Sequence, residues 1–346
     1  MLNEFNLRRS QLRGYMFEVA ILQLLKSNDF HVVSCDDKTR RVREGFTEIR
    51  GRGGWHQIDC PCDYGKQIPF IYPIRMLGEV KFFKSPVDKK YVREFIGVIK
   101  DIQENYFVSE DENVAMLANR KMDVGVFFSA NGFNDEAEKL AYAHGIKTLS
   151  YKNHFLVNKI KDLITDIESN YFSVHMITKV GLNQFRRDFT EMITQDIDDK
   201  RMTKYGGSIA DGYTDIIREL RTSIRKIETS FMGTTRTGVF LHFLGEEQFP
   251  SAMFYDRDDG ICQVYYNIDK NKKTGFYLTI EGDESRFYFT PPAALDRAAI
   301  FGKSTVLQEK EELFGEVNIN INLQGINRNL TLRIDKGWLD SVRDRV

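Results

Sequence analysis

Four residues carry types and spacings suited to chemistry: Glu18, Asp59, Glu79 and Lys81. Glu79-Val80-Lys81 lies in the apolar run Leu77 to Phe83, which reads as a strand. Side chains at i and i+2 of a strand point to one face, so a carboxylate and an ammonium stand side by side. Asp59 ends the alternating stretch His56-Gln57-Ile58-Asp59-Cys60 and brings a second carboxylate towards the same edge. Glu18 falls inside an otherwise apolar helix, where a carboxylate is costly unless something pairs with it. Two or three carboxylate oxygens with waters suit Mg²⁺, with Mn²⁺ as a substitute, at about 2.1 Å. A cation held there stabilises charge on a phosphate oxygen and lowers the pKa of a water nucleophile. The neighbouring lysine stabilises the transition state electrostatically. Those are the parts that phosphodiester hydrolysis needs.

The elements that must hold these groups follow from periodicity. Tyr15, Phe17, Val19, Ile21, Leu22, Leu24 and Leu25 predict a largely buried helix over Gln11 to Asn28. Phe30 to Val33 reads as a short strand and Asp36 to Arg43 as a charged connection; Phe46 to Arg50 follows and leads into the turn Gly51-Arg52-Gly53-Gly54. Cys60 to Ile68, with Pro61 and Gly65, reads as an insertion, and Phe70 to Ile74 as an apolar run leading into the Glu79 strand. Pro86 and Asp88 open a helix, and Asp123 to Ser129 is a buried strand. Asn134 caps a helix over Asp135 to Ala143, and Ile146 to Tyr151 is a last strand. The class is α/β, a mixed sheet flanked by helices.

Beyond residue 155 the pattern becomes mainly helical, with a strand-like stretch at Phe172 to Ile177; from Gly238 onwards it is β-rich. Ser251 to Tyr255, Cys262 to Ile268, Thr274 to Ile280, Arg286 to Thr290, Val317 to Ile321 and Leu330 to Ile334 are among its strands. The expected organisation is a catalytic unit over 1–155, a helical connecting segment over 156–235 and a β-rich recognition or regulatory domain over 236–346. Aromatics are dense in this last part and read as core and cross-strand pairs.

With these pieces in order, the chain resembles the PD-(D/E)XK nuclease superfamily, and more narrowly the Mrr-like restriction endonuclease domain. The resemblance rests on Arg13-Gly14-Tyr15-Met16-Phe17-Glu18, Gly53-Gly54-Trp55-His56-Gln57-Ile58-Asp59, Gly78-Glu79-Val80-Lys81 and the segment from Gly125 to Ala137, and covers about residues 11–155. Trp55-His56-Gln57 departs from that pattern, which usually carries another acidic residue there. What the resemblance implies is a restriction-endonuclease-like fold and a Mg²⁺-dependent DNA endonuclease of restriction or antiphage-defence type. Asp59 and Glu79 would be metal ligands, Lys81 the catalytic lysine, and Glu18 an assisting carboxylate. The same core on RNA or branched DNA is one alternative, and a non-cleaving binding or assembly protein on the nuclease fold is another.

Arg50 and Arg52 before the site, with Lys38, Arg40, Arg41 and Arg43, and Lys84, Lys89 and Lys90 after it, with Arg93, are the expected contacts to DNA phosphates. Cutting both strands would call for a homodimer, and a defence-system partner protein is a further expectation. The 346 residues carry 49 basic and 50 acidic side chains, a net charge of −1 that excludes a DNA-coating protein but not a local basic groove. Four cysteines, including Cys60-Pro61-Cys62 near His56, lack the second ligand pair of a zinc site and read as reduced and structural; His56 likewise reads as structural. With no signal-like or membrane-spanning apolar run, the chain reads as cytoplasmic and without a membrane partner.

Overall fold

The computed structural model describes residues 9–26, 28, 30–32, 39–43, 46–65, 70–105, 120–171, 179–195, 213–268, 274–291, 315–323 and 326–338. Lys38, Cys35 and the strand-like stretch at 172–177 lie outside them. Helix α1 (Arg9–Lys26) is followed by strands β1 (Phe30–Val32), β2 (Arg40–Arg43), β3 (Phe46–Arg50), β4 (Trp55–Gln57), β5 (Cys60–Tyr64) and β6 (Ile74–Lys81). Then come α2 (Lys89–Gln103), β7 (Met122–Ser129), α3 (Asp135–Ala143) and β8 (Lys147–Ser150). A five-stranded sheet has the order β1-β5-β6-β7-β8. Strand β5 runs antiparallel to both neighbours, whereas β6, β7 and β8 are parallel through helical crossovers.

Alternation along β6 and β7 sorts the side chains. Met76, Val80, Val126 and Phe128 face the core that contains Met16, Phe17 and Ala20 of α1. Leu77 and Phe127 face the other core, with Phe95 of α2 and Ala137 of α3. Both crossover helices are capped by side chains: Asp88 accepts from the Lys90 amide and Asn134 from the Ala137 amide.

Three local expectations change. The end of the supposed charged connection, Arg40–Arg43, is strand β2, which with β3 and β4 forms a small antiparallel sheet. The supposed insertion begins with strand β5 in the middle of the main sheet. Proline is accepted there because β1 pairs only with Cys62–Tyr64 and asks nothing of Pro61 on that side. Phe70, Ile71 and Tyr72 are exposed and precede β6, so this apolar run is not strand.

Helices α4 (Phe155–Asp166), α5 (Lys179–Thr194) and α6 (Tyr213–Arg225) follow, with a π-helical turn (Ile167–Tyr171) after α4. Ile160, Ile164, Phe185, Phe189, Ile217 and Leu220 bury against α1 in the same core as the main sheet. These helices complete the first unit's core instead of linking two bodies. Strands β9 (Thr229–Thr235), β10 (Phe240–Gly245), β11 (Asp259–Ile268), β12 (Thr274–Ile280), β13 (Phe287–Phe289), β14 (Glu316–Leu323) and β15 (Ile326–Ile334) close a barrel in the order β10-β13-β12-β11-β15-β14-β9. Thr229–Thr235 therefore belongs to the β part, ahead of the boundary expected at 236. Ser251–Phe254 is a 3₁₀ turn, not a strand. Phe231, Phe243, Phe276, Phe287 and Phe289 fill the interior. No helix among the described residues is long and apolar enough to cross a membrane.

A buried hydrogen-bonded chain joins barrel and α/β unit. Ser230 Oγ donates to the Leu24 carbonyl (2.8 Å) and accepts from Asn28 Nδ2 (2.8 Å). Its single proton being spent, it also accepts from His242 Nε2 (2.8 Å), and His242 Nδ1 accepts from the Tyr151 hydroxyl (2.8 Å). His242 is thus a neutral imidazole, and burial pushes its pKa down to about 3.

Close approach of β5 to β6 depends on Gly78, directly opposite Cys60. A methyl group there would lie 2.7 Å from Cys60 Cβ and 3.0 Å from its carbonyl oxygen. Gly78→Ala is expected to lower stability by about 1–3 kcal/mol through overpacking. Gly97→Ala, on an exposed position of α2 with open space around it, is expected to raise stability by roughly 0.5–1 kcal/mol. Urea melts of the two variants check this contrast; equal effects would show that Gly78 is not a close-approach position.

Candidate functional site

Asp59 sits at the corner where the chain leaves the small sheet at β4 and enters the main sheet at β5. Its Oδ2 accepts from the Val80 amide at 3.0 Å, which fixes the carboxylate beside β6. Glu79 and Lys81 flank Val80 and continue the Leu77 row. The Lys81 ammonium ion-pairs with Glu79 Oε1 and lies 3.5 Å from Asp59 Oδ2. The structure therefore brings Asp59, Glu79 and Lys81 together, with Glu79 and Lys81 on β6 and Asp59 in the bend between β4 and β5, where the sequence pattern reads as one continuous strand over residues 56–60.

Burial would push the Lys81 pKa down, but Asp59 and Glu79 outweigh it and hold the ammonium protonated well above the ordinary lysine value. Glu79 moves the other way: burial and the neighbouring Asp59 raise it to about 7, against the pull of Lys81. Lys81 is a fixed positive charge and not a base, whereas Glu79 exchanges its proton near neutrality.

Glu18 reaches this neighbourhood from α1 and is only 7% exposed. Burial first, then Asp59, raises its pKa to about 8. Its Oε2 lies 3.2 Å from Arg186 Nη2, but the approach gives no hydrogen bond, and among the described residues both Glu18 Oε2 and Arg186 Nη1 are buried without a hydrogen-bond partner. Arg186 comes from α5, with its guanidinium 4.4 Å over the Phe46 ring and 5.2 Å over that of Tyr15. Sequence reasoning did not find Arg186. The signal available was indirect: a carboxylate in an apolar helix demands a partner, but nothing local says which one.

Among the described residues no group of three or more His, Cys, Asp or Glu side chains is gathered closely enough to hold a metal ion. The Lys81 ammonium lies instead against Glu79 and near Asp59. The donors nevertheless suit a hard divalent cation in a smaller set: all are carboxylate oxygens, and Glu18 Oε2 is a buried acceptor without a hydrogen bond. Mg²⁺ is commonly held by one or two carboxylates and water, so Asp59 and Glu79 would be the pair to hold such a cation, with Glu18 in reserve.

The basic residues divide. Lys84, Lys89 and Lys90 are exposed between the Lys81 end of β6 and the start of α2, with Lys89 ion-paired to Glu136 at 2.6 Å and Lys90 beside the Tyr91 ring at 5.4 Å. Arg50 and Arg52 lie at the other end of α2: Asn105 Nδ2 donates to the Arg50 carbonyl, and the Arg52 guanidinium is 3.2 Å from Glu104. A helix of this length spans roughly 22 Å, so the two groups do not form one patch. His56 pairs with Asp101 of α2 at 2.6 Å, and Asp101 also accepts from the Gly53 amide, a brace for the glycine turn. Cys60, Cys62 and Cys262 are free and buried, and burial pushes their thiols up, consistent with inert packing.

No family model and no curated protein matches the chain. A crystal structure of a protein of unknown function aligns with it at 15% identity and a TM-score of 0.34, over 61% of this chain and 98% of the other. That similarity is too low to carry an argument.

The raised carboxylates give a pH dependence. A folded-state pKa above the unfolded value means that the folded chain holds the proton more tightly, so stability falls as pH rises from about 4.5 towards 7 for Glu79 and towards 8 for Glu18. His154 and His242, lowered to about 3 by burial, act oppositely but only below pH 6.5. Between pH 6.5 and 8 the unfolding free energy is expected to drop, by at most about 1.4 kcal/mol per pH unit for each group. Glu18→Gln is expected to remove most of that slope. Denaturant titrations across this window check it; an unchanged slope in the variant would show that Glu18 titrates normally.

Proposed function

We propose that this chain is a Mg²⁺-dependent endonuclease that hydrolyses phosphodiester bonds in DNA, in restriction or antiphage defence. The observation that supports this reading best is the convergence of Asp59, Glu79 and Lys81 at the end of β6, with the buried Glu18 beside them. The order of elements supports it too: a helix carrying one acid, a second acid at the bend that enters β5, a third on the antiparallel neighbour β6, then helix-linked parallel strands, as expected for a restriction-endonuclease-like core.

In this reading Asp59, oriented by the Val80 amide, and Glu79 hold Mg²⁺, or Mn²⁺ in its place. The cation supplies charge stabilisation at a phosphate oxygen and a water of lowered pKa. Lys81, kept protonated by its two carboxylates, leaves Glu79 for the phosphate and stabilises the charge that grows there. Glu18 has its acceptor oxygen ready for the cation's hydration shell, and Arg186 limits the charge repulsion among the acids. Lys84, Lys89 and Lys90 are the nearer phosphate contacts, while Arg50 and Arg52 serve a more distant stretch of the duplex. A single site cuts one strand, so a double-strand break requires two copies.

Incubation with plasmid, linear DNA and RNA, in Mg²⁺ and in EDTA, tests the proposal. Cation-dependent cutting of DNA is expected, and Asp59→Ala, Glu79→Ala and Lys81→Ala are each expected to lower the rate by about 100-fold or more while retaining a cooperative melt. Undiminished cutting by Glu79→Ala would sink the assignment. Cutting of RNA alone would move the same site to another substrate, and binding without cutting would make the chain a nucleic-acid-binding or assembly protein.

A further inference from the structure

The outer face of the barrel carries a row of tyrosines that the site above does not use. Tyr265 on β11 stands directly opposite Tyr277 on β12, and Tyr277 directly opposite Tyr288 on β13. Their rings form a ladder, at 5.2 Å and 19° for the first pair and 5.8 Å and 55° for the second. Trp338 meets Tyr265 edge-on at 5.2 Å, and Phe155 of α4 stacks on Tyr288 at 4.6 Å. Neighbouring positions on these strands, Phe276, Leu278, Phe287 and Phe289, point inward and fill the core. Phenylalanine fills the apolar interior, and the tyrosines keep their hydroxyls on the half-buried outer face.

The row floors a concavity of about 740 Å³ whose rim carries Glu246, Glu247, Asp283 and Glu284 against one cation, Arg286. None of the four carboxylates forms an ion pair among the described residues. The Arg286 guanidinium lies 5.1 Å over the Tyr277 ring, so this face already accommodates a planar cation. Aromatic faces attract cations through their quadrupole, and the carboxylates add long-range attraction of the same sign. A nucleic-acid strand finds the rings suitable for stacking but brings its phosphates against the acidic rim.

We propose that this face is a docking site for a basic peptide segment of a partner protein, which lays arginine or lysine side chains over the tyrosine row and against the acidic rim, displacing Arg286. The proposal does not depend on the nuclease reading. It is tested on the full chain in EDTA, which would silence any cation-dependent cleavage, by fluorescence anisotropy with a labelled arginine–glycine peptide, an acidic peptide and labelled oligo(dT). Saturable binding of the basic peptide alone is expected. Tyr277→Ala is expected to weaken it about tenfold, and so is the exposed pair Glu247→Gln with Glu284→Gln, which spares the packing. Arg286→Ala decides the sign: vacating the ring and removing a positive charge tightens a cationic ligand and weakens an anionic one. Unchanged peptide affinity in the glutamine pair overturns the proposal. Oligo(dT) binding that is lost with Tyr277→Ala and weakened by Arg286→Ala overturns it in favour of a nucleic-acid face.

Discussion

Everything at the candidate site depends on how closely β5 lies against β6. Only because Gly78 has no side chain can Cys60 pack onto that backbone, and only then does the Asp59 carboxylate reach the Val80 amide. That one hydrogen bond places the Asp59 carboxylate next to Glu79 and Lys81, and its charge helps to raise the pKa values of Glu79, Lys81 and Glu18. A wider strand spacing would separate the acids, relax the repulsion among them and leave Lys81 with one partner.

The cost of gathering these charges is carried by the parts around them. Alpha helix α1 is buried along most of its length against the main sheet and against α4, α5 and α6, so Glu18 has little access to water. Arg186, from α5, is the cation that offsets this burial, itself held between the Tyr15 and Phe46 rings. The helical segment is thus part of the site's construction. An imperfectly paired acid in such a setting is costly in its charged form, which is why burial raises its pKa.

The barrel closes its strand edges on one another and so exposes an outer surface and no free edge among the described strands. Its attachment is polar as well as apolar: Tyr151, His242, Ser230 and Asn28 share a hydrogen-bond chain in which every proton has one assignment. Buried polar chains of this kind tolerate few rearrangements, which holds barrel and α/β unit in one arrangement.

The sequence by itself determined what depends on near neighbours. Alternation along Leu77 to Phe83 put Glu79 and Lys81 on one face, the apolar density of Gln11 to Asn28 marked a buried helix, and Asp88 and Asn134 marked helix starts. The residue pattern also showed that the last part of the chain is β-rich, though the first of its strands starts earlier than expected. Misreadings arose where residue type and pairing disagree: Pro61 reads as a loop but sits in a strand whose neighbour leaves that position unpaired, and the apolar run Phe70 to Tyr72 reads as the approach to a strand but is exposed. Only the tertiary structure decided that Asp59 bonds to Val80, that Arg186 answers Glu18, that the basic residues split between the two ends of α2, and that Tyr265, Tyr277 and Tyr288 share the outer face of a closed barrel. These are pairings between residues far apart in the chain, and no local periodicity encodes which distant strand or helix will supply the partner.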